Sequence, residues 1–246
     1  MLEGVFMPLI PKHKLVFQHI PKTGGTSICK AFGVQTDGHL HLGHYQDEII
    51  ENYPNIPPAE WKTFCVVRNP ITRFISAWRM FKYRAEATNT PLTDKYPKLF
   101  ALDDINDFLI TLFESDRREE FLMDQASAHF WSLASFICSA KGGIGVMEYT
   151  NQEIKDLGLL DINYPSYVLR YERLQEDMDL LTKKLDIEKI NLERINQSND
   201  KQVLYLTNQS EQIIENIFAN DYDICNKLIQ SRCITNHFCK PLSLFS

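Results

Sequence analysis

One short loop carries the residue types that an anion site needs: Pro21-Lys22-Thr23-Gly24-Gly25-Thr26-Ser27. Its two glycines let backbone N–H groups approach an anion closely, Thr26 and Ser27 add hydroxyls, and Lys22 adds a positive charge. The loop differs from the Walker A nucleotide loop, in which the lysine stands directly before a Ser or Thr at the end of the turn. The residues therefore indicate an anion site of another kind, and an ordinary structural turn is the alternative.

A second anion-binding candidate is Arg68, which follows an apolar run and precedes a helical pattern. Its guanidinium presents a planar fork that matches a phosphate group with two hydrogen bonds. Ser76 lies eight residues later, and a junction between strand and helix can direct both side chains toward one anion. Arg73 lies five residues after Arg68, and it is either a second ligand or an exposed charge on the helix.

Three histidines, His39, His41 and His44, lie between these two segments. The imidazole of histidine titrates near neutrality, with an unperturbed pKa of about 6.5, so it is suited to take the proton of an attacking hydroxyl. Metal binding by the three side chains, or no chemical role, are the alternatives. Three acids of the same interval are rival bases: Asp37, Asp47 and Glu48.

Three segments resemble those of one enzyme family. The loop, with His19 and Ile20 before it, is similar to the 5′-phosphosulfate-binding loop of sulfotransferases that use 3′-phosphoadenosine 5′-phosphosulfate (PAPS). Residues 67–78 (VRNPITRFISAW) resemble the segment that binds the 3′-phosphate in that family, where an Arg at a strand end and a Ser eight residues later hold this phosphate. Residues 168–177 (VLRYERLQED) resemble a third signature, found in the carbohydrate branch related to heparan sulfate 2-O-sulfotransferases and in its bacterial relatives.

The resemblance implies transfer of a sulfuryl group from PAPS to a hydroxyl, with a carbohydrate as acceptor and without a metal ion. It assigns Arg68 and Ser76 to the 3′-phosphate, and it assigns the other end of the nucleotide to Lys22, Thr23, Gly24, Gly25, Thr26 and Ser27. Several members of the branch place a catalytic histidine between the two motifs, and His41 aligns best with it, followed by His44. His129 either corresponds to a residue of the acceptor cleft or is a core histidine. A P-loop phosphotransferase of the kinase type is the alternative activity.

Three apolar runs predict the strands that must position these residues, at 15–20, 63–67 and 167–169. Each precedes a helical pattern, and further helical stripes cover 105–112 and 121–137. Strands that alternate with helices predict an α/β fold with a central parallel sheet flanked by helices, here a P-loop-like domain of three layers. No linker or break in composition interrupts the chain, so residues 1–246 are expected to form one sulfotransferase domain.

Composition and charge agree with this interpretation. The chain has 246 residues, of which 44% are hydrophobic and 24% charged, a balance typical of a soluble globular domain rather than a disordered or collagen-like one. A net charge of −6 argues against a nucleic-acid partner. Residues 4–36 and 62–84 nevertheless carry +10 and no acid, while the rest of the chain carries −16. These two basic stretches contain the loop and Arg68, which favours one anion site built from both.

The amino terminus and the cysteines bear on the compartment. Glu3, Pro8 and Pro11 interrupt the apolar residues of the first eleven positions, which therefore lack the apolar run of a signal peptide. Six cysteines without CxxC spacing are too few for a disulfide-stapled secreted module. We expect a cytoplasmic protein without a membrane span, or a protein of the Golgi lumen if an amino-terminal anchor has been removed.

Overall fold

The structure is a computed structural model, and it describes residues 8–35, 49–57, 60–83, 91–131, 133, 136, 165–193 and 204–232. The chain divides into two compact units. Unit 1 comprises Met1–Arg68, Ser132–Ile195 and Asp223–Ser246, and unit 2 comprises Asn69–Trp131 and Asn196–Tyr222. The expectation of one domain over residues 1–246 stays a prediction.

The sheet belongs to unit 1 and consists of β1 (Leu9–Ile10), β2 (Leu15–Gln18), β3 (Lys62–Val67) and β4 (Tyr167–Arg170), in that spatial order. Strands β2, β3 and β4 are parallel, which confirms the three predicted strands. Strand β1 is antiparallel to β2, so the sheet is mixed rather than wholly parallel. The reason is local: a 3-10 turn at Pro11–His13 and a left-handed Lys14 (φ 50°) reverse the chain, and only antiparallel strands can be joined by so short a connection.

The described residues form these helices, in chain order: α1 (Gly25–Phe32), α2 (Pro70–Tyr83), α3 (Pro91–Lys95), α4 (Pro97–Phe100), α5 (Ile105–Glu114), α6 (Arg118–Met123), α7 (Leu174–Lys184), α8 (Asn208–Ile217) and α9 (Ala219–Arg232). None of the described helices is long and apolar enough to cross a membrane.

The core of unit 1 follows from the alternation of side chains along the strands. Leu15 and Phe17 of β2 face one side of the sheet, where helices α1 and α7 cover them with Ile28, Cys29, Met178 and Leu181. Val16 faces the other side and packs with Leu9, Ile49 and Trp61. The sheet thus buries both faces, and its parallel strands direct their carboxyl ends to one edge, where the loops after β2, β3 and β4 begin.

Unit 2 is built around aromatic side chains. Phe108 is fully buried, and its ring centroid lies 5.4 Å from that of Phe100 and 6.2 Å from that of Phe130. Helix α5 presents four buried residues at helical spacing, and Asp104 caps its first turn by accepting a hydrogen bond from the Asn106 amide at 2.6 Å. The predicted stripe at 105–112 therefore corresponds to a real helix.

The predicted helical stretch from 121 to 137 is wrong in its continuity. Helix α6 ends at Met123, and Asp124 is extended (φ −69°, ψ 129°) before a 3-10 turn at Gln125–Phe130. The Asp124 carbonyl accepts hydrogen bonds from the Ser127 amide at 2.9 Å, the Ser127 hydroxyl at 2.7 Å and the Trp131 indole at 3.0 Å. Because these groups bind the carbonyl, the chain is tightened into a turn at this point.

Candidate functional site

The predicted anion loop lies at the carboxyl end of β2 and leads directly into α1. Two of its residues have left-handed backbone: Lys22 (φ 67°) and Gly24 (φ 86°). Glycine adopts this conformation freely, whereas for lysine it costs about 1–2 kcal/mol. The conformation of Lys22 must therefore be held by its surroundings.

Each glycine of the loop is required for a different reason. A Cβ placed on Gly25 would lie 1.9 Å from Cδ2 and 2.0 Å from Nε2 of His19, whose buried ring fills that space. A Cβ placed on Gly24 would lie 2.9 Å from Cδ2 of Leu174 and 3.4 Å from Cε2 of Tyr171. Gly25 thus makes room for the His19 ring just before the loop, and Gly24 makes room for the segment that follows β4.

The amide groups at the start of α1 are the donors of this loop. The amides of Ser27 and Ile28 donate to the Gly24 carbonyl, at 3.1 and 3.3 Å. Among the described residues, the amides of Gly24, Gly25 and Thr26 have no hydrogen-bond acceptor. Such amides at a helix amino terminus, together with the positive end of the helix dipole, suit an anion.

The hydroxyls of the loop differ in their surroundings. Thr23 is buried, and its hydroxyl donates to the Ile20 carbonyl at 2.8 Å, so this side chain closes the turn. Thr26 is exposed, and Ser27 and Lys22 are half-buried.

Arg68 contacts the loop directly. Its Nη1 donates to the Lys22 carbonyl at 2.9 Å, and its guanidinium lies over the ring of Tyr171, 4.1 Å from the centroid. Burial lowers the pKa of Arg68 below its ordinary value, while Tyr171 and Glu172 oppose that shift. The guanidinium remains charged at neutral pH. The structure therefore brings together two residues that the sequence predicted separately, Lys22 and Arg68.

A buried ion pair holds the turn that carries Tyr171. Asp177 of α7 is fully buried and accepts three hydrogen bonds from Arg170. The Arg170 amide and Nε donate to Oδ2 at 2.8 and 2.9 Å, and Nη2 donates to Oδ1 at 2.6 Å. The bond to the backbone amide fixes the main chain at the residue directly before Tyr171. The third sequence signature is thus a structural device that sets the position of this tyrosine.

Arg73 corrects one of the two sequence interpretations. It is 1% exposed, so it is not a solvated helix charge. Its guanidinium donates to the backbone carbonyls of Trp131 and of His129, the latter at 3.4 Å, and so ties α2 to the 3-10 turn of unit 2. The ring of His129 is half-buried and packs edge-on against Phe81, with centroids 5.6 Å apart.

The remaining predicted residues divide into two groups. Ser76 is half-buried on α2 of unit 2, and its assignment to a phosphate stays a prediction. The candidate bases His41 and His44 lie outside the described residues, as do His39, Asp37, Asp47 and Glu48. Within the described residues, no group of three His, Cys, Asp or Glu side chains is placed to hold a metal ion.

Sequence reasoning missed Tyr171 as a member of the site. The signal was present, because Tyr171 directly follows a strand that pairs with β3, and the pairing of Val67 with Arg170 places the ends of the two strands side by side. What the sequence did not give was the direction of the ring, which depends on the three-dimensional course of the turn after β4.

Comparison with known protein families gives a match. A family model described as "Sulfotransferase family" matches residues 8–231, which include all three sequence signatures. No curated protein matches the chain, and no solved structure matches it. Of the two activities that the sequence left open, the family match supports sulfuryl transfer and not phosphotransfer.

Proposed function

The chain belongs to the sulfotransferase family, and from this membership we propose that it transfers the sulfuryl group of PAPS to a hydroxyl of a carbohydrate acceptor. The observation that carries the proposal is the loop at 21–27, where Lys22 stands beside the three amides that lack an acceptor among the described residues. The donor PAPS follows from the family resemblance of this loop and of residues 67–78. The carbohydrate acceptor follows from the resemblance of residues 168–177 to the carbohydrate branch.

The donors of the loop suit the 5′-phosphosulfate end of this nucleotide. Its negative charge would meet the amides of Gly24, Gly25 and Thr26 at the positive end of α1, with the hydroxyls of Thr26 and Ser27 beside them. The two glycines let the loop pack closely on its neighbours, because a side chain at either position would collide with residues already packed there.

Lys22 is suited to stabilise the leaving oxygen. In sulfuryl transfer the acceptor oxygen forms a bond to sulfur while the bond from sulfur to the 5′-phosphate oxygen breaks, and charge develops on that leaving oxygen. A sulfuryl group carries less charge than a phosphoryl group. A lysine and preorganised amides can therefore supply the stabilisation that kinases obtain from Mg²⁺.

Arg68 and Ser76 are proposed to bind the 3′-phosphate at the other end of the nucleotide. A bidentate guanidinium–phosphate contact is among the stronger hydrogen-bonded pairs, and it would fix the nucleotide far from the reacting atoms. Binding energy gained at such a remote group helps to position the reacting end.

The proton of the acceptor hydroxyl is assigned to His41, with His44 as the second candidate. A neutral imidazole accepts the proton as the oxygen–sulfur bond forms. Because only the neutral form acts, the rate should rise with pH through an apparent pKa of about 6–7. His41→Ala is expected to lower kcat by about 10²–10⁴ while nucleotide binding is kept. Activity that survives in His41→Ala but not in His44→Ala or Glu48→Ala would move the base to the other residue without changing the reaction.

The experiment that tests the proposal compares two nucleotides by titration calorimetry. The protein should bind 3′-phosphoadenosine 5′-phosphate much more tightly than 5′-AMP, because only the first carries the 3′-phosphate that Arg68 and Ser76 would hold. Equal affinities would contradict the proposed donor. A panel of carbohydrate and non-carbohydrate hydroxyl acceptors, incubated with PAPS in the presence of EDTA, then tests the acceptor class and the independence from a metal ion.

A further inference from the structure

Tyr171 is a partly exposed aromatic residue that contacts two parts of the candidate site at once. One face of its ring lies against the Arg68 guanidinium, 4.1 Å from the ring centroid. Its Cε2 edge lies so close to the loop that a Cβ on Gly24 would be 3.4 Å away. The ring therefore fills the space between the end of β3 and the loop after β2.

The contacts of Arg68 close a circuit of residues that begins and ends at Tyr171. From Tyr171 the path leads to the Arg68 guanidinium, then through a 2.9 Å hydrogen bond to the Lys22 carbonyl, and along the loop to Gly24, which packs on Tyr171 again. We call Arg68 and Tyr171 together the loop clamp. It touches the loop at Lys22 and at Gly24, which are the two residues of the loop with left-handed backbone.

The backbone conformation of Lys22 is unfavourable and needs a restraint, which the loop clamp supplies. A lysine with φ 67° is in a sparsely populated conformation, and such a conformation persists only where the surrounding structure fixes it. The hydrogen bond from Arg68 to the carbonyl of this same residue is a direct restraint on it. The backbone of Lys22 in turn sets the point from which its side chain carries the ammonium group.

Tyr171 is itself held on both sides along the chain. Before it, Asp177 binds the amide and the guanidinium of Arg170. After it, Leu174 begins α7 and reaches the same glycine, with its Cδ2 2.9 Å from a Cβ placed on Gly24. Contacts on both sides thus hold the turn that carries the Tyr171 ring. A residue that positions the Arg68 guanidinium needs to be held in this way.

We propose that Tyr171 is a positioning residue of the transfer reaction: through its contact with Arg68 it keeps Lys22 and the anion loop in the reactive conformation. This inference rests on the proposed function for the catalytic part of its test. It also means that the residue assigned to the 3′-phosphate and the residue assigned to the leaving oxygen are linked by one hydrogen bond. Occupancy at one end of the nucleotide would then steady the loop at the other end.

Two substitutions at Tyr171 and one control separate the ring from its hydroxyl and from general packing. Tyr171→Phe keeps the aromatic face, whereas Tyr171→Leu removes it. Tyr167→Leu is the matched control, because Tyr167 also lies beside a cation, Lys184 at 5.3 Å from the ring centroid, but at the other end of β4. We expect kcat to fall about tenfold or more in Tyr171→Leu and to stay within about threefold in Tyr171→Phe and in Tyr167→Leu.

A double-mutant cycle tests whether Tyr171 acts through Arg68. In an Arg68→Ala background the loss caused by Tyr171→Leu should be much smaller, because the contact with Arg68 is already gone and only the contact with Gly24 remains. Losses in kcat/KM that multiply would overturn the proposal, because Tyr171 would then act independently of Arg68. Equal losses in Tyr171→Leu and Tyr167→Leu would also overturn it, since only general packing would then be at work.

A measurement without nucleotide keeps this inference separate from the proposed function. The amides of Ser27 and Ile28 donate to the Gly24 carbonyl, so their hydrogen exchange reports on the loop. Exchange should be about tenfold faster in Tyr171→Leu than in Tyr167→Leu. Unchanged exchange, with nucleotide binding as expected, contradicts the clamp alone. Faster exchange without any binding of 3′-phosphoadenosine 5′-phosphate contradicts the proposed donor and leaves the clamp standing.

Discussion

Two arginines stand at the ends of neighbouring strands and have opposite surroundings. Arg170 ends β4 opposite Val67 of β3, and Arg68 follows Val67 directly. Arg170 binds the carboxylate of Asp177 through its side chain and its amide, and both side chains are nearly inaccessible. Arg68 binds the carbonyl of Lys22 and lies on the ring of Tyr171.

The difference shows how one residue type serves the fold in one place and a site in the next. A buried arginine with a bidentate carboxylate fixes a turn, because removing either partner leaves a charge without compensation. An arginine that touches a strained loop instead controls the shape of that loop. The contrast depends on what each strand leads into: β4 leads into α7, which returns Asp177 to the strand end, and β2 supplies the loop that Arg68 contacts.

The largest expected effect is on stability and concerns the buried ion pair of Arg170 and Asp177. Asp177→Ala should lower the free energy of unfolding by about 3–5 kcal/mol, because it leaves the Arg170 guanidinium buried without its carboxylate. Urea unfolding followed by circular dichroism measures this loss. The double variant Arg170→Met/Asp177→Leu should be less destabilised than the single one. A loss below about 1 kcal/mol for Asp177→Ala would show that the pair is not the structural anchor described above.

The next effect concerns nucleotide affinity. Arg68→Ala should weaken binding of 3′-phosphoadenosine 5′-phosphate by about 2–4 kcal/mol in calorimetry, since charge-assisted bidentate contacts are the strong ones. The free energy of unfolding should fall less in Arg68→Ala than in Asp177→Ala. The contrast between the two arginines breaks down if Arg68→Ala destabilises the protein as much as Asp177→Ala does, or if affinity for 5′-AMP falls equally.

The smallest expected effect concerns the backbone strain at Lys22, the residue whose carbonyl Arg68 binds. Lys22→Gly should raise the free energy of unfolding by up to about 1 kcal/mol, because glycine relieves the left-handed conformation but loses more chain entropy on folding. Asp186→Gly is the matched control, since Asp186 is also left-handed (φ 53°) but exposed and distant along the chain. A loss of stability in Lys22→Gly would mean that the lysine side chain contributes more than its backbone costs.

The sequence predicted the parts of the fold that depend on neighbours along the chain. Strands β2, β3 and β4 were recognisable because each is a buried apolar run that ends at a polar or glycine-rich junction. The loop was recognisable because the residue types at 21–27 and their order along the chain are by themselves typical of an anion-binding loop. Strand β1 was not, since two residues between Pro8 and Pro11 give no pattern to detect.

What the sequence could not give depends on residues far apart. Arg73 looked like either a ligand or a surface charge, because the carbonyls it binds lie 56 and 58 residues away. The helix break at Asp124 depends on three donors that converge on one carbonyl. The role of Tyr171 depends on Arg68, more than a hundred positions earlier.

The short outer strands have a consequence for the protein in solution. A sheet whose outermost strand has free amides and carbonyls is a template for a strand of another molecule, which is how many proteins aggregate. In the described part of the chain, β1 has only two residues and stands between Pro8 and Pro11, and Pro165 lies just before β4 at the opposite border. Proline offers no amide hydrogen to a neighbour. The shortness of β1 and the proline before β4 thus limit edge-to-edge association in this part of the chain.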